Sequence, residues 1–122
     1  MSEPKTIKID DVEYVRKDSL EAPAETLDGA LYSIIRGDRS GVFAGYVKER
    51  KDNEVTIINA RRLWYWDGAA SLSQLAVDGV SKPQNCKFPK EVKELLVLDA
   101  VEIIPCTERA RKSISSVKEW SE

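Results

Sequence analysis

LYSIIRGDRSGVFAGYVKER, residues Leu31 to Arg50, is the stretch on which the fold turns. Leu31–Arg36 and Val42–Arg50 are runs rich in β-branched and aromatic side chains, the composition that suits a pleated, half-buried surface. Gly37-Asp38-Arg39-Ser40-Gly41 lies between them, and its glycines permit positive φ and close backbone approach. The polar turn Lys51-Asp52-Asn53-Glu54 then leads into VTIINARRLWYW, again extended in character. The pattern predicts a meander of three to four strands.

Downstream, Asp67-Gly68 breaks the run, and Ser71 or a neighbour caps a helix over SLSQLAVDG that Gly79 stops, with Leu72, Leu75 and Ala76 on one face. The segment VSKPQNCKFPKEV carries Pro83 and Pro89 and reads as irregular, with Phe88 pinning it to the core. ELLVLDAVEIIP is most economically one buried strand ending at Pro105, or a strand, a bend and a strand. Thr107 is placed to cap a short basic-faced helix over TERARKSIS, and residues 114–122 read as a polar tail. Upstream, alternation about Asp10-Asp11 predicts a hairpin over residues 1–17, and the acidic, Pro- and Gly-bearing segment 18–30 a linker or weak helix. The expectation is one domain over 1–122 with its main fold in 31–113, of the α+β class: a small antiparallel β-meander with two or three short helices packed on it.

Composition narrows the function. Nineteen basic and twenty-one acidic residues leave a net charge of -2, without the positive field that duplex nucleic-acid binding requires. No apolar run approaches the roughly 20 residues of a membrane span, and MSEPKTIKID lacks the pattern of a secretory signal, so a cytoplasmic protein is expected. Cys86 and Cys106 are too far apart in sequence for a zinc knuckle or a CxxC pair, and there is no histidine. Both read as reduced structural thiols, with no metal and no cofactor. Without histidine the commonest acid–base group near neutrality is gone, and there is no P-loop, Gly-x-Ser-x-Gly elbow or calcium loop; a non-catalytic protein is expected.

The residues with ligand-binding chemistry centre on Arg61, Arg62, Trp64, Tyr65 and Trp66. On an extended chain Arg62, Trp64 and Trp66 share one face and Arg61, Leu63 and Tyr65 the other. Guanidinium forks match phosphate oxygens and aromatic faces stack bases, so the run suits a nucleotide; alternatively the tryptophans fill the core and the arginines are solvated or paired. We expect Arg61 or Arg62 to clamp phosphate and Trp64 or Tyr65 to stack a base. Arg36 and Arg39 flank a loop able to offer amides to an anion. Thr107 and the amides behind it, with Arg109, form a third anion candidate. Asn85 is placed to supply an edge contact, and Phe88 is counted with the ligand-binding set.

GVFAGYVKER, NARRLWYWDGAASLSQLAVDGVSKPQNCKFP and VEIIPCTERARKS resemble a family of small phage and prophage proteins, identified as the first type of Thoeris anti-defence sponge, over roughly Leu31 to Ser113. The resemblance implies a non-catalytic protein that binds and sequesters nucleotide second messengers, namely cyclic ADP-ribose isomers and in some members cyclic oligonucleotides. It also implies a homo-oligomer, dimer or higher, with ligand recessed between subunits in the cytoplasm of an infected bacterium. A competing reading is a phage inhibitor that docks a host enzyme through the same arginine and aromatic patch.

Overall fold

The computed structural model describes residues 22–122; the expected hairpin over residues 1–17 lies outside them. In chain order the elements are β1 (Leu31–Gly37), β2 (Val42–Lys51), β3 (Glu54–Arg62), α1 (Leu72–Asp78), a single 3-10 turn (Pro83–Asn85), β4 (Val92–Val97), β5 (Ala100–Pro105) and α2 (Glu108–Ser116). The strands form one antiparallel sheet in the order β4-β3-β2-β1-β5. A five-stranded antiparallel sheet with two helices is an α+β fold built on a meander.

That order forces the sheet to curl. Flat, five strands at about 4.8 Å spacing would hold the outer two roughly 19 Å apart. Yet β4 ends at Val97 and β5 begins at Ala100, and three residues of extended chain span no more than about 11 Å. The two edges must therefore approach at one end, giving a half-closed barrel. The corner is sewn to both neighbouring turns: Asp38 N–H donates to the Asp99 carbonyl at 2.9 Å and Ala100 N–H to the Asn53 carbonyl at 3.0 Å. ELLVLDAVEIIP is thus strand, bend, strand. It is largely exposed rather than buried, because both halves sit at sheet edges.

Strand β2 supplies the curvature. Its pairing with β3 slips between Ala44 and Tyr46, opposite Asn59, which adopts a positive φ of 52°. Gly45 lies at this crossing, where a Cβ would collide with the Ile57 side chain and stand 3.0 Å from the Ile58 carbonyl. The bulge reverses the phase of β3. Val55, Ile57 and Ala60 point into the curl with Ile35, Phe43, Val97 and Ala100, whereas Leu63 joins the second core under the helices. That second core contains Ile34, Leu75, Phe88, Ala110 and Ile114. Strand β1 serves both, Ile34 facing one and Ile35 the other, and four of its consecutive residues are buried.

The helices are capped as their sequences predict. Ser71 accepts from Gln74 N–H at 3.1 Å, and Gly79 closes α1 with φ 77°. Thr107 accepts from Ala110 N–H at 3.1 Å to open α2. Residues 22–30 form no helix. Ala24 N–H bonds the Cys106 carbonyl, and a turn closes between Leu27 and Ala30. Nor are residues 114–122 a loose tail: Ile114 and Val117 are buried, and Trp120 N–H donates to the Phe88 carbonyl at 2.9 Å.

Candidate ligand-binding site

The bulge at Asn59 decides which arginine a ligand can reach. Arg61 is turned under the helices, with 7% of its surface exposed. Its Nε donates to the Pro89 carbonyl at 3.1 Å, Nη1 to the Ile114 carbonyl at 3.1 Å and Nη2 to the Phe88 carbonyl at 3.3 Å. Burial pulls its pKa down, but the fork remains fully engaged. Arg61 is a structural tie, and the expectation that it clamps phosphate is corrected. Phe88 is completely buried, 5.4 Å below the Arg61 guanidinium; it pins the loop as expected and has no surface for a ligand.

At the two further anion candidates, the loop with Arg36 and Arg39 and the start of α2, the protein itself already supplies partners. The glycine-rich loop does bind an anion, but the anion is the protein's own: Asp99 Oδ2 accepts from the amides of Arg39 and Ser40 at 2.8 and 3.0 Å, and Oδ1 from the Ser40 hydroxyl. These hydrogen bonds, led by the Ser40 hydroxyl, hold the Asp99 carboxyl below its ordinary pKa. Arg36 is paired with Glu102 at 3.0 Å. At the start of α2, the Thr107 hydroxyl donates to the Val77 carbonyl at 2.6 Å, Glu108 N–H is taken by the Ala22 carbonyl, and Arg109 is paired with Asp78. Asn85 stays exposed, with its side-chain amide donating to Asp67 at 3.0 Å.

Arg62, Trp64 and Tyr65 remain at the surface. Arg62 lies over the Phe43 ring at 4.5 Å, and its Nη1 donates to the Ser40 carbonyl. With Arg39 it borders a groove of about 450 Å³ at the mouth of the curl. Trp64 is 59% exposed and Tyr65 49%. Tyr65 is fixed by reciprocal backbone hydrogen bonds with Lys87, at 3.2 and 2.7 Å. The Trp64 indole stacks on that of Trp120, with centroids 5.1 Å apart and planes 14° from parallel. The Lys87 ammonium stands 5.5 Å from the first ring and 5.6 Å from the second. Trp66 instead packs against the helical core.

Sequence reasoning missed Trp120 and Lys87. They are 56 and 23 residues from Trp64 in number, and only the strap from Phe88 to Trp120 brings them together. Beyond Trp120 opens a cavity of about 700 Å³ bordered by Gln84, Ser116, Lys118 and Ser121. Stacked indoles, a cation over both rings and a neighbouring polar recess make a platform for a flat, negatively charged molecule. Among the described residues, no three of His, Cys, Asp and Glu gather to hold a metal ion, and no helix is long and apolar enough to cross a membrane.

A curled antiparallel sheet carrying an exposed aromatic and cationic surface defines the class of small α+β domain. The family described as Domain of unknown function (DUF6948) matches residues 30–114, and the chain belongs to that family. No curated protein and no solved structure matches it.

Proposed function

We propose that this protein is a non-catalytic binder that sequesters a nucleotide messenger, a cyclic ADP-ribose isomer or a cyclic oligonucleotide. The observation that carries the reading is the Trp64–Trp120 stack with Lys87 over it, an amphipathic surface left open in a protein that buries Tyr32, Phe43 and Phe88. A base stacks on the free face of Trp64, and its phosphates meet Lys87, with Lys118 at the adjoining recess. The phosphate role expected of Arg61 or Arg62 falls in this reading to Lys87 and Lys118. The resemblance to Thoeris anti-defence sponges supports the same reading, as does the tying-up of carboxylates such as Asp99, Glu102 and Glu108 in hydrogen bonds and ion pairs.

A sponge acts by mass action: it must hold the messenger more tightly than the downstream effector does and be made in comparable amount. The test is to incubate the purified chain with lysate from cells producing TIR-derived cyclic ADP-ribose isomers and with a panel of cyclic oligonucleotides. After washing and heat denaturation, the supernatant is read by mass spectrometry. Intact nucleotide released from wild type but not from Trp64→Ala is expected. An empty supernatant, or turnover of the nucleotide, overturns the proposal.

A further inference from the structure

The groove at the mouth of the curl is separate from the tryptophan platform and has a different chemistry. It is floored by Phe43 and walled by Leu95, Leu96 and Leu98, with Leu96 54% and Leu98 64% exposed. Its wall is an edge strand: among the described residues β4 pairs with β3 alone, so its outer row of backbone N–H and C=O groups is open. Natural sheets guard such edges with charge. In β4 the guards are Lys93 and Glu94, at its first half; Leu95-Leu96-Val97-Leu98 carries none. The unguarded half is the part that borders the groove.

The rim gives the occupant its charge. Arg39 makes no ion pair among the described residues, and Arg62 donates to a carbonyl rather than a carboxylate. Asp99 also lines the groove, but both its oxygens are turned to the amides of Arg39 and Ser40 and to the Ser40 hydroxyl. The groove therefore offers an apolar floor, a strand edge and two guanidinium groups that, among the described residues, make no ion pair with a carboxylate. We propose that it takes an extended segment of a partner protein in which apolar residues alternate with acidic ones, added as a strand along β4. Alternate side chains of such a segment point to opposite faces, so the apolar set meets Leu96 and Leu98 while the acidic set reaches Arg39 and Arg62, the latter lying over Phe43.

Two fluorescein-labelled peptides of about eight residues, one alternating leucine with aspartate and one alternating leucine with lysine, test this by anisotropy on the full chain. Saturable binding of the aspartate peptide is expected, about tenfold or more tighter than the lysine peptide and weakening with salt. Arg39→Glu should reverse the preference and Leu98→Ser should abolish binding; both side chains are exposed, so both variants fold. Equal binding of the two peptides, or no saturable binding, overturns the proposal. So does aspartate-peptide binding that survives Leu98→Ser. Sedimentation velocity supplies the remaining arm: a concentration-dependent dimer lost in Leu98→Ser would give the groove to a second copy of the chain and overturn the partner assignment.

Discussion

Arg61 and Ile114 are joined across the helical core: the Arg61 guanidinium donates to the Ile114 carbonyl in the last turn of α2, 53 residues away. The acceptor lies at the negative end of the helix, and the other donors of the same fork close on Phe88 and Pro89. One side chain thus ties β3, the proline-bounded loop and α2. Removing it leaves three carbonyls without this donor and a cavity beside Phe88. Arg61→Ala is expected to lower stability by about 3 kcal/mol or more. Arg61→Lys, which keeps the charge but not the fork, should cost about 1–2 kcal/mol. Urea unfolding reads both; a wild-type midpoint for Arg61→Ala would refute the tie.

Trp120 reaches Trp64 because its own backbone is held by Phe88, so the two indoles should report on each other. Their offset-parallel overlap predicts an exciton couplet in near-ultraviolet circular dichroism that disappears in Trp120→Ala. The stability cost should be only about 1 kcal/mol, since both rings are half exposed. If Trp64 is the base platform, Trp64→Ala should weaken nucleotide capture by about 10- to 100-fold, the worth of one stacked base. A melt shifted by many degrees in Trp64→Ala would mean that the ring is structural.

Much of the scaffold is legible in the sequence because its signals are local. Ser71, Gly79 and Thr107 act at their own helix ends, and the Gly37–Gly41 turn is announced by its glycines. The candidate site is less legible because its decisive features are not local. The sequence correctly puts Arg61 and Arg62 on opposite faces, but which face is interior depends on Asn59 taking a positive φ opposite Gly45, and nothing near the arginines signals it. The anion-binding geometry of RGDRSG is real, but its occupant, Asp99, lies 59 residues from Ser40. Trp120 was hidden by a polar context that reads as a tail. In each case a long-range partner decides what a correctly read local motif does.

The two cysteines should be inert in the folded protein. Burial pushes the Cys106 thiol up to about 12, and burial also raises Cys86. At pH 8 a thiol with a pKa near 12 is ionised about once in ten thousand molecules, and the thiolate is the nucleophile. Alkylation by iodoacetamide at pH 8 is expected to be negligible without denaturant and complete for both residues in concentrated urea. Rapid native labelling of Cys106 would mean that the strap from Ala22 to Ala24, whose Ala24 amide bonds the Cys106 carbonyl, opens easily.

The same strap gives the fold a predictable acid sensitivity. Glu108 is gripped by Arg111, through Nε at 2.9 Å and through Nη2, and it also accepts from the Glu25 amide at 2.9 Å. The Arg111 hydrogen bonds are the main reason its carboxyl titrates at about 2 rather than the ordinary 4.5. A carboxyl with a depressed folded-state pKa stabilises the native state fully above its unfolded value and loses that contribution as pH falls. For Glu108 the window runs from about pH 4.5 down to about pH 2. Glu108→Gln should therefore flatten the fall of melting temperature across this window and lower the melt at pH 7 by the same contribution that wild type loses on acidification, a modest one for a part-exposed i,i+3 pair. Hydrogen exchange separates the local effect from global stability: the Glu25 amide should exchange faster in Glu108→Gln at pH 7, where the carboxylate that accepts it is gone. Parallel pH profiles for wild type and Glu108→Gln between pH 2 and 4.5, with an unchanged Glu25 amide, would show that the contact does not hold the strap.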